Sequence, residues 1–445
     1  MLNLEVQSDK IRQGERKQTK VSFNPCMKIN PIENIPVAVV GAGAAGVMAA
    51  IFAAAGGCRV ALLERTADGG RKILISGGGR CNILPSAVDP AQFVTASSFH
   101  TMRNILRSWP LEQQRRYFEQ KAGIALVLEE ETGKLFPASD SAREVRKKLF
   151  GLAASTGAEI QFGSFVTALE TCTTSNAWLL SLAGGRKLSA KAVILASGGL
   201  SVPSTGSDGV GLELARRLGH TIHTTYPALT PLTLEPPIHS ALAGVSMQVM
   251  LVAPSSKRVF RTQGGFLFTH RGYSGPAVLN ISHLAVQSRQ RGGRKQPIHV
   301  QWCGLDTSGW EKLLGPAPGS VLSLLRRHLP SRLAERLMIE AKVEASRSQA
   351  QLRKDERRHL VELLTRYPLP WTGDEGYKKA EVTGGGVALE EIEPRTLQSR
   401  LRGGLFLCGE MLDAFGPIGG YNFLWAWATG RAAGLGAAEY VKRGG

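Results

Sequence analysis

Gly41-x-Gly43-x-x-Gly46 followed by Glu64, and the run Gly69-Gly-Arg-Lys-Ile-Leu-Ile-Ser-Gly-Gly-Gly-Arg-Cys-Asn82, hold residues whose types and spacing can do chemistry. In the first, Gly41 permits a tight turn, Gly43 lets a pyrophosphate approach the backbone, and Gly46 lets a helix pack closely on a strand. Ala44 and Ala45 open that helix, whose free N–H groups stabilise phosphate charge. Glu64 would accept hydrogen bonds from ribose hydroxyls, and an acid there disfavours a 2′-phosphate, leaving FAD or NAD as the dinucleotide. In the second run, Ser76-Gly77-Gly78 offers backbone N–H groups to anions and lets a planar ring pack close. Arg71, Lys72 and Arg80 are placed to face phosphates, and Cys81 and Asn82 close the run. The alternative for both runs is an ordinary tight turn with solvated bases.

The elements that must position these groups are legible around them. IPVAVV before Gly41 reads as a strand, the Ala-rich stretch to about Ala55 as a helix stopped by Gly56-Gly57, and CRVALLE as a second strand ending at Glu64. A helix over 142–154, strands near 159–169 and 178–181, and the strand AVILA at 192–196 extend the pattern. From 226 to 305, β-branched and aromatic runs broken by Pro and Gly read as short strands of an inserted β-rich domain. Residues 306–377 have Leu- and charge-rich helical spacing and read as a nested helical insertion. GLFLCGE at 404–410 and a helix from Tyr421 to about Glu439 return to the first texture. The dinucleotide domain is therefore read as discontinuous, 36–225 with 378–445, and polar residues 1–35 as a disordered extension. Met27 could begin the folded chain.

With 445 residues, 43% apolar and 20% charged, the chain can bury a large core, and no apolar stretch approaches the 18 residues of a membrane span. Six scattered cysteines, without CxxC or Cys/His clusters, disfavour a structural metal or a dithiol pair and, with no apolar leader segment, point to the cytoplasm. Lys and Arg exceed Asp and Glu, giving a net charge of +18 that favours anionic partners without choosing among nucleotide, nucleic acid and lipid.

VAVVGAGAAGVMAA, GRKILISGGGRCN, FLFTHRGYSGPAVL (266–279), AEVTGGGV (380–387) and GLFLCGEMLDAFGPIGGYNFLWAWATGRAAG (404–434), in this order, resemble the HI0933-like flavoproteins, a family that includes BaiN-like and aminoacetone oxidase-like FAD-dependent oxidoreductases. The resemblance spans about residue 36 to the C-terminus. It implies an α/β fold of the two-dinucleotide-binding-domain flavoprotein class, a Rossmann-like FAD domain with inserted β-barrel-like and helical domains, and it implies FAD as cofactor. Gly409-Glu410-x-x-Asp413 then resembles a second flavin motif, with neither acid preferred. Gly419, Gly420, Tyr421 and Asn422 would form the loop whose helix aims N–H groups at the flavin. Ala196-Ser-Gly198-Gly199 resembles the strand-turn of the same class.

His270, Arg271 and Tyr273 could supply a proton and hold an anionic substrate, or form a well-packed turn. Cys81 has no second cysteine nearby for a redox relay. The expected function is an FAD-dependent oxidoreductase acting on a small molecule, its flavin reduced by substrate or by NAD(P)H docking transiently, since no second GxGxxG unit appears. An RNA-acting flavoprotein and a non-catalytic flavin-binding protein are the alternatives. Interleaved acids in the basic segment 351–366 disfavour nucleic acid. Oligomeric state is left open.

Overall fold

IPVAVV is apolar at successive positions because its strand is covered on both faces, as the centre of a parallel sheet requires; Val37, Ala38 and Val39 are fully buried. In the computed structural model, which describes residues 33–172, 177–254 and 259–444, this strand covers Glu33–Val40. It pairs in parallel with Val60–Leu63 and with Lys187–Leu195, and Ala158–Gln161 extends the sheet beyond Val60–Leu63. Leu405–Leu407 joins parallel to the end of Lys187–Leu195, while Ala177–Leu182 and Val166–Cys172 complete the sheet antiparallel. Residues 33–35, expected in the polar extension, are instead strand and pair with Leu188–Ala190. The rest of that extension, Met27 included, lies outside the described residues.

The helix Ala44–Ala55 follows the first strand, and the long helix Tyr421–Lys442 crosses it. Glycine makes that crossing possible. A Cβ at Gly430 would stand 2.3 Å from the Ala45 carbonyl oxygen, and one at Gly434 would stand 2.3 Å from that of Ala49. The two helices therefore meet backbone to backbone, and both N-termini, at Gly43 and Gly420, open on one cleft.

Residues 232–374 supply a second sheet, antiparallel throughout. Its order is Tyr367–Pro368, His299–Gln301, Ser246–Ala253, Phe260–Thr269, Gly272–Ser274, Leu232–Thr233, Gly373–Asp374. The helix Pro276–Gln290 packs on it, and the helices Thr307–Leu313, Val321–Leu325, Ser331–Glu340 and Lys354–Thr365 share its core through Trp302, Trp310, Leu325 and Leu360. The chain passes between the two bodies along a ribbon in which Ile222–Ala228 pairs antiparallel with Val382–Val387. Among the described residues no helix is long and apolar enough to cross a membrane.

The core of the second body contains a polar knot. His239 Nδ1 lies 2.8 Å from the Tyr273 hydroxyl, and its Nε2 lies 3.1 Å from the Tyr367 hydroxyl and 3.3 Å from a Glu340 oxygen that also accepts from Arg336 Nε at 2.6 Å. Burial alone would raise the Glu340 pKa, yet hydrogen bonds from His239, Arg336 and Tyr367, with the Arg336 charge, outweigh it and hold it at about 2. A carboxyl depressed in the folded state adds stability above its unfolded pKa of about 4.3 and loses it as pH falls through the folded value. Chemical denaturation between pH 5 and 2 is therefore expected to show stability declining with pH, and Glu340→Gln to flatten that decline.

Candidate functional site

A cleft of about 440 Å³ runs from the end of the Val60–Leu63 strand, past both helix N-termini, to the junction with the ribbon. Its size is ordinary for a ligand site. Its first end is formed by Glu64, Arg65, Phe165 and Asp208. Glu64 is buried; one carboxylate oxygen accepts from the Ala42 N–H at 2.8 Å and the other from the Thr66 N–H and hydroxyl at 2.8 and 2.7 Å. Arg65 lies 4.5 Å over the Phe165 ring and pairs with Asp208. At the middle, Gly41, Gly43, Ala44 and Ala45 border the cleft from one helix start. Gly46 lies behind them, where a Cβ would be 1.8 Å from the Gly41 carbonyl oxygen. The far end is bounded by Asn82, Gly419, Gly420 and Asn422, and Val382, Phe415 and Ile418 line it beside Glu381, whose exposure marks the mouth.

Residues named from sequence divide clearly by position. Arg71, Lys72, Ser76, Gly77, Gly78, Ala196, Gly198, Gly409 and Glu410 also border the cleft. Glu410 is held by Lys72 at 2.5 Å, by the Ser201 hydroxyl at 2.5 Å and by the Thr383 N–H at 3.0 Å. Asn422 bridges the loop before its helix, accepting from the Gly416 N–H at 2.9 Å and donating to the Gly416 carbonyl at 3.0 Å. Gly199 stands behind the strand-turn, where a Cβ would meet the Thr383 hydroxyl at 2.4 Å. Tyr421 points away from the cleft, edge-on to Phe93.

Besides Tyr421, six assigned residues need correction. Arg80 does not face phosphates: it lies 3.9 Å over the Phe136 ring and pairs with Glu129 at 3.1 Å. Cys81 adopts φ +65°, turns into the core and is fully buried, its thiol pushed up to about 12 by burial. Asp413, left equal to Glu410 by sequence, lies outside the cleft. One of its oxygens accepts from the N–H groups of Ala96 and Ser97 and from the Ser97 hydroxyl, at 2.8–2.9 Å. His270 and Arg271 sit exposed on a hairpin tip, and Tyr273 is in the core knot, so none of the three reaches the cleft. Asp413→Ala would remove a buried acceptor and leave those part-buried donors without it. It is expected to destabilise the protein by about 3 kcal/mol, measured as a lower denaturant midpoint.

Arg65 and Phe165 border the cleft without having been assigned to it from sequence, as does Glu381; Ser207 and Asp208, for which helix capping weighs equally with cofactor contact by sequence, border it as well. Of the unassigned residues, Arg65 alone carried a signal, being adjacent to Glu64 at the strand end. The lining fits a dinucleotide of the FAD kind. At Gly43 and Gly78 a Cβ would meet no protein atom within 4 Å, so both bare backbones face open space. Two buried oxygens at the cleft, Asn82 Oδ1 and Ser197 Oγ, have no hydrogen-bond partner among the described residues; buried polar atoms are otherwise almost always paired. Among the described residues no three His, Cys, Asp or Glu side chains gather to hold a metal.

A Rossmann-type sheet, two helix N-termini on one cleft and a glycine-lined cradle define a dinucleotide-binding flavoprotein. Residues 35–436 match the family described as HI0933-like protein Rossmann domain, and the chain belongs to it: an FAD-dependent oxidoreductase family, with FAD as cofactor. The chain is 33% identical over 404 residues to a protein of Escherichia coli K12 named ribosomal RNA dihydrouridine synthase, covering 89% of this chain and 96% of that one. It is 32% identical over 418 residues to the 3-dehydro-bile acid delta(4,6)-reductase of Clostridium scindens, covering 91% and 99%. Among solved structures, the 3-ketosteroid-delta4-(5alpha)-dehydrogenase of Rhodococcus jostii shares the fold, with a TM-score of 0.50 at 15% identity over 92% of this chain and 98% of that one.

Proposed function

We propose that the protein is an FAD-dependent reductase of a carbon–carbon double bond conjugated to a carbonyl, with a reduced nicotinamide dinucleotide as electron donor. The observation that carries this reading is the mouth of the cleft. There Val382, Phe415 and Ile418 offer an apolar seat for a planar unsaturated system, and Glu381 stands beside it. The names of two relatives support it. A 4,6-dienone of a bile acid and the uracil ring that becomes dihydrouridine differ in size, but each presents a C=C conjugated to C=O.

FAD, when bound, supplies the two-electron chemistry. The chain's own part is to bind, orient and exclude water. The amides at Gly43–Ala45 and Arg71 would face the pyrophosphate, and Glu64 with Arg65 the adenosine end. Lys72, Ser201 and Thr383 fix Glu410 in one rotamer, and the Asn422 bridge holds the Gly416–Gly420 loop in shape against the far end. The unpaired amides that start the Tyr421–Lys442 helix favour negative charge developing there. A small-molecule enone is the first substrate class.

A uracil base within ribosomal RNA is the second. It is favoured by exposed Lys378 and Lys379, three and two residues before Glu381, and by the net charge of +18, both suited to a phosphate backbone. The test is anaerobic. Holoprotein reduced by NADH or NADPH should be reoxidised by 4-androstene-3,17-dione or another enone, and failure of every conjugated acceptor would overturn the reading. Nucleoside analysis of ribosomal RNA from a strain lacking the protein separates the two substrates, since only the second predicts a lost dihydrouridine.

A further inference from the structure

We propose that Glu381 is the proton donor to the substrate, with Lys134 across the mouth holding the substrate's carbonyl oxygen; this rests on the proposed reduction of a conjugated double bond. Four carboxylates border the cleft, and three are already engaged by the protein. Glu64 is bound by Ala42 and Thr66, Asp208 by Arg65, and Glu410 by Lys72, Ser201 and Thr383. Glu381 alone among these four accepts no hydrogen bond from the described residues. Its backbone N–H donates to the Leu229 carbonyl at 3.2 Å, which fixes the residue at the end of the ribbon, beside Val382. The side chain is reached by solvent through the mouth, yet the protein mass around it raises its pKa, so the carboxyl keeps its proton closer to neutrality. Lys134 is the charged group that faces it, and it acts in the opposite sense. The Lys134 chain passes 3.7 Å from where a Gly419 Cβ would stand, so its ammonium belongs to the same end of the cleft.

The balance is that of a conjugate reduction. The reduced cofactor would supply a hydride, two electrons with one hydrogen, to the β-carbon. The π pair moves toward the α-carbon and the carbonyl oxygen, where a lysine ammonium stabilises the charge. The Glu381 O–H bond breaks as the α-carbon forms its C–H bond, and the carboxylate regains a proton from water at the mouth. A reduced nicotinamide dinucleotide is oxidised to restore the cofactor. General acid catalysis of this kind contributes about 10²- to 10⁴-fold.

Two measurements on FAD-loaded protein test it. The absorbance of the bound oxidised flavin, titrated between pH 4 and 9, should report a carboxyl step that is absent in Glu381→Gln and moved to higher pH in Lys134→Met, because removing the cation disfavours the carboxylate. Identical titrations in wild type and Glu381→Gln, or a Lys134→Met midpoint that stays or falls, would overturn the placement. In the second, photoreduced protein is mixed anaerobically with 4-androstene-3,17-dione and with uridine. Reoxidation in Glu381→Gln should be slower by about 100-fold or more. Equal rates in wild type and variant would overturn the proton-donor role alone. A wild type reoxidised by neither acceptor overturns the proton-donor role together with the reductase reading, and the titration still judges the placement of Glu381 without reference to activity.

Discussion

Gly43→Val is expected to fold and to hold no FAD. At the helix starts of this cleft, most glycines are hemmed in by protein: a Cβ at Gly41 would meet the Ala196 carbonyl oxygen at 2.7 Å, and one at Gly46 would strike Gly41. Gly43 differs, because its φ of −78° and ψ of −172° suit any residue and a Cβ there would touch nothing. The only cost to the apoprotein is a poorer N-cap, about 1 kcal/mol or less. In the holoprotein, the isopropyl group would occupy the space a pyrophosphate needs at the helix N-terminus. Affinity should fall at least 100-fold, about 2.7 kcal/mol. Flavin content by absorbance and thermal unfolding of the apoprotein check both halves. A valine variant that copurifies with full flavin would remove the pyrophosphate from this position.

Gly430→Ala is expected to have the opposite character, with stability lost first and flavin lost as a result. One added methyl at a helix position is normally favourable. Gly151→Ala, in the interior of the Ala142–Ser155 helix with nothing within 4 Å, should stabilise by roughly 0.5–1 kcal/mol. At Gly430 the same methyl would stand 2.3 Å from a backbone oxygen of the partner helix, which cannot rotate away as a side chain can. Overpacking of this kind costs about 1–3 kcal/mol, and pushing Ala45 aside deforms the cleft it borders. Denaturant unfolding of the pair, with flavin content, checks the contrast in sign.

The fold was readable where the pattern is physical and local. A buried parallel strand is apolar throughout, a glycine turn must separate it from its helix, and an acid must end the next strand; Ile35–Val40, Gly41–Gly46 and Glu64 meet all three conditions. What sequence could not supply was direction. Arg80, Cys81 and Asn82 are consecutive, yet one stacks on Phe136, one enters the core and one borders the cleft, because a left-handed residue at Cys81 reverses the chain. Glu410 and Asp413 are three residues apart and face different partners for a similar reason: a 3₁₀ turn over Gly409–Met411 separates their directions. His270 and Tyr273 sit in a motif that resembles the family's, but its residues serve a hairpin and a core knot. Glu381 was visible in AEVTGGGV without any sign that the ribbon carries it to the mouth. Gly420, a backbone donor position by sequence, is a packing position as well. Its φ is +95° and a Cβ there would stand 2.5 Å from the Leu84 carbonyl carbon, so any side chain at this position is also a folding lesion.

The helix crossing at Gly430 and Gly434 also sets a timetable for biosynthesis. The partners of those glycines, Ala45 and Ala49, emerge from the ribosome some 385 residues earlier, and at about 5–20 residues per second the interval is roughly 20–80 s. Throughout it, the nascent chain carries a completed first strand and helix whose Ala-rich face has nothing to pack against, and half of a cradle whose other wall does not yet exist. Flavin capture thus has to wait for the helix Tyr421–Lys442, and chains interrupted before it are left with an uncovered apolar face for chaperones and proteases to read.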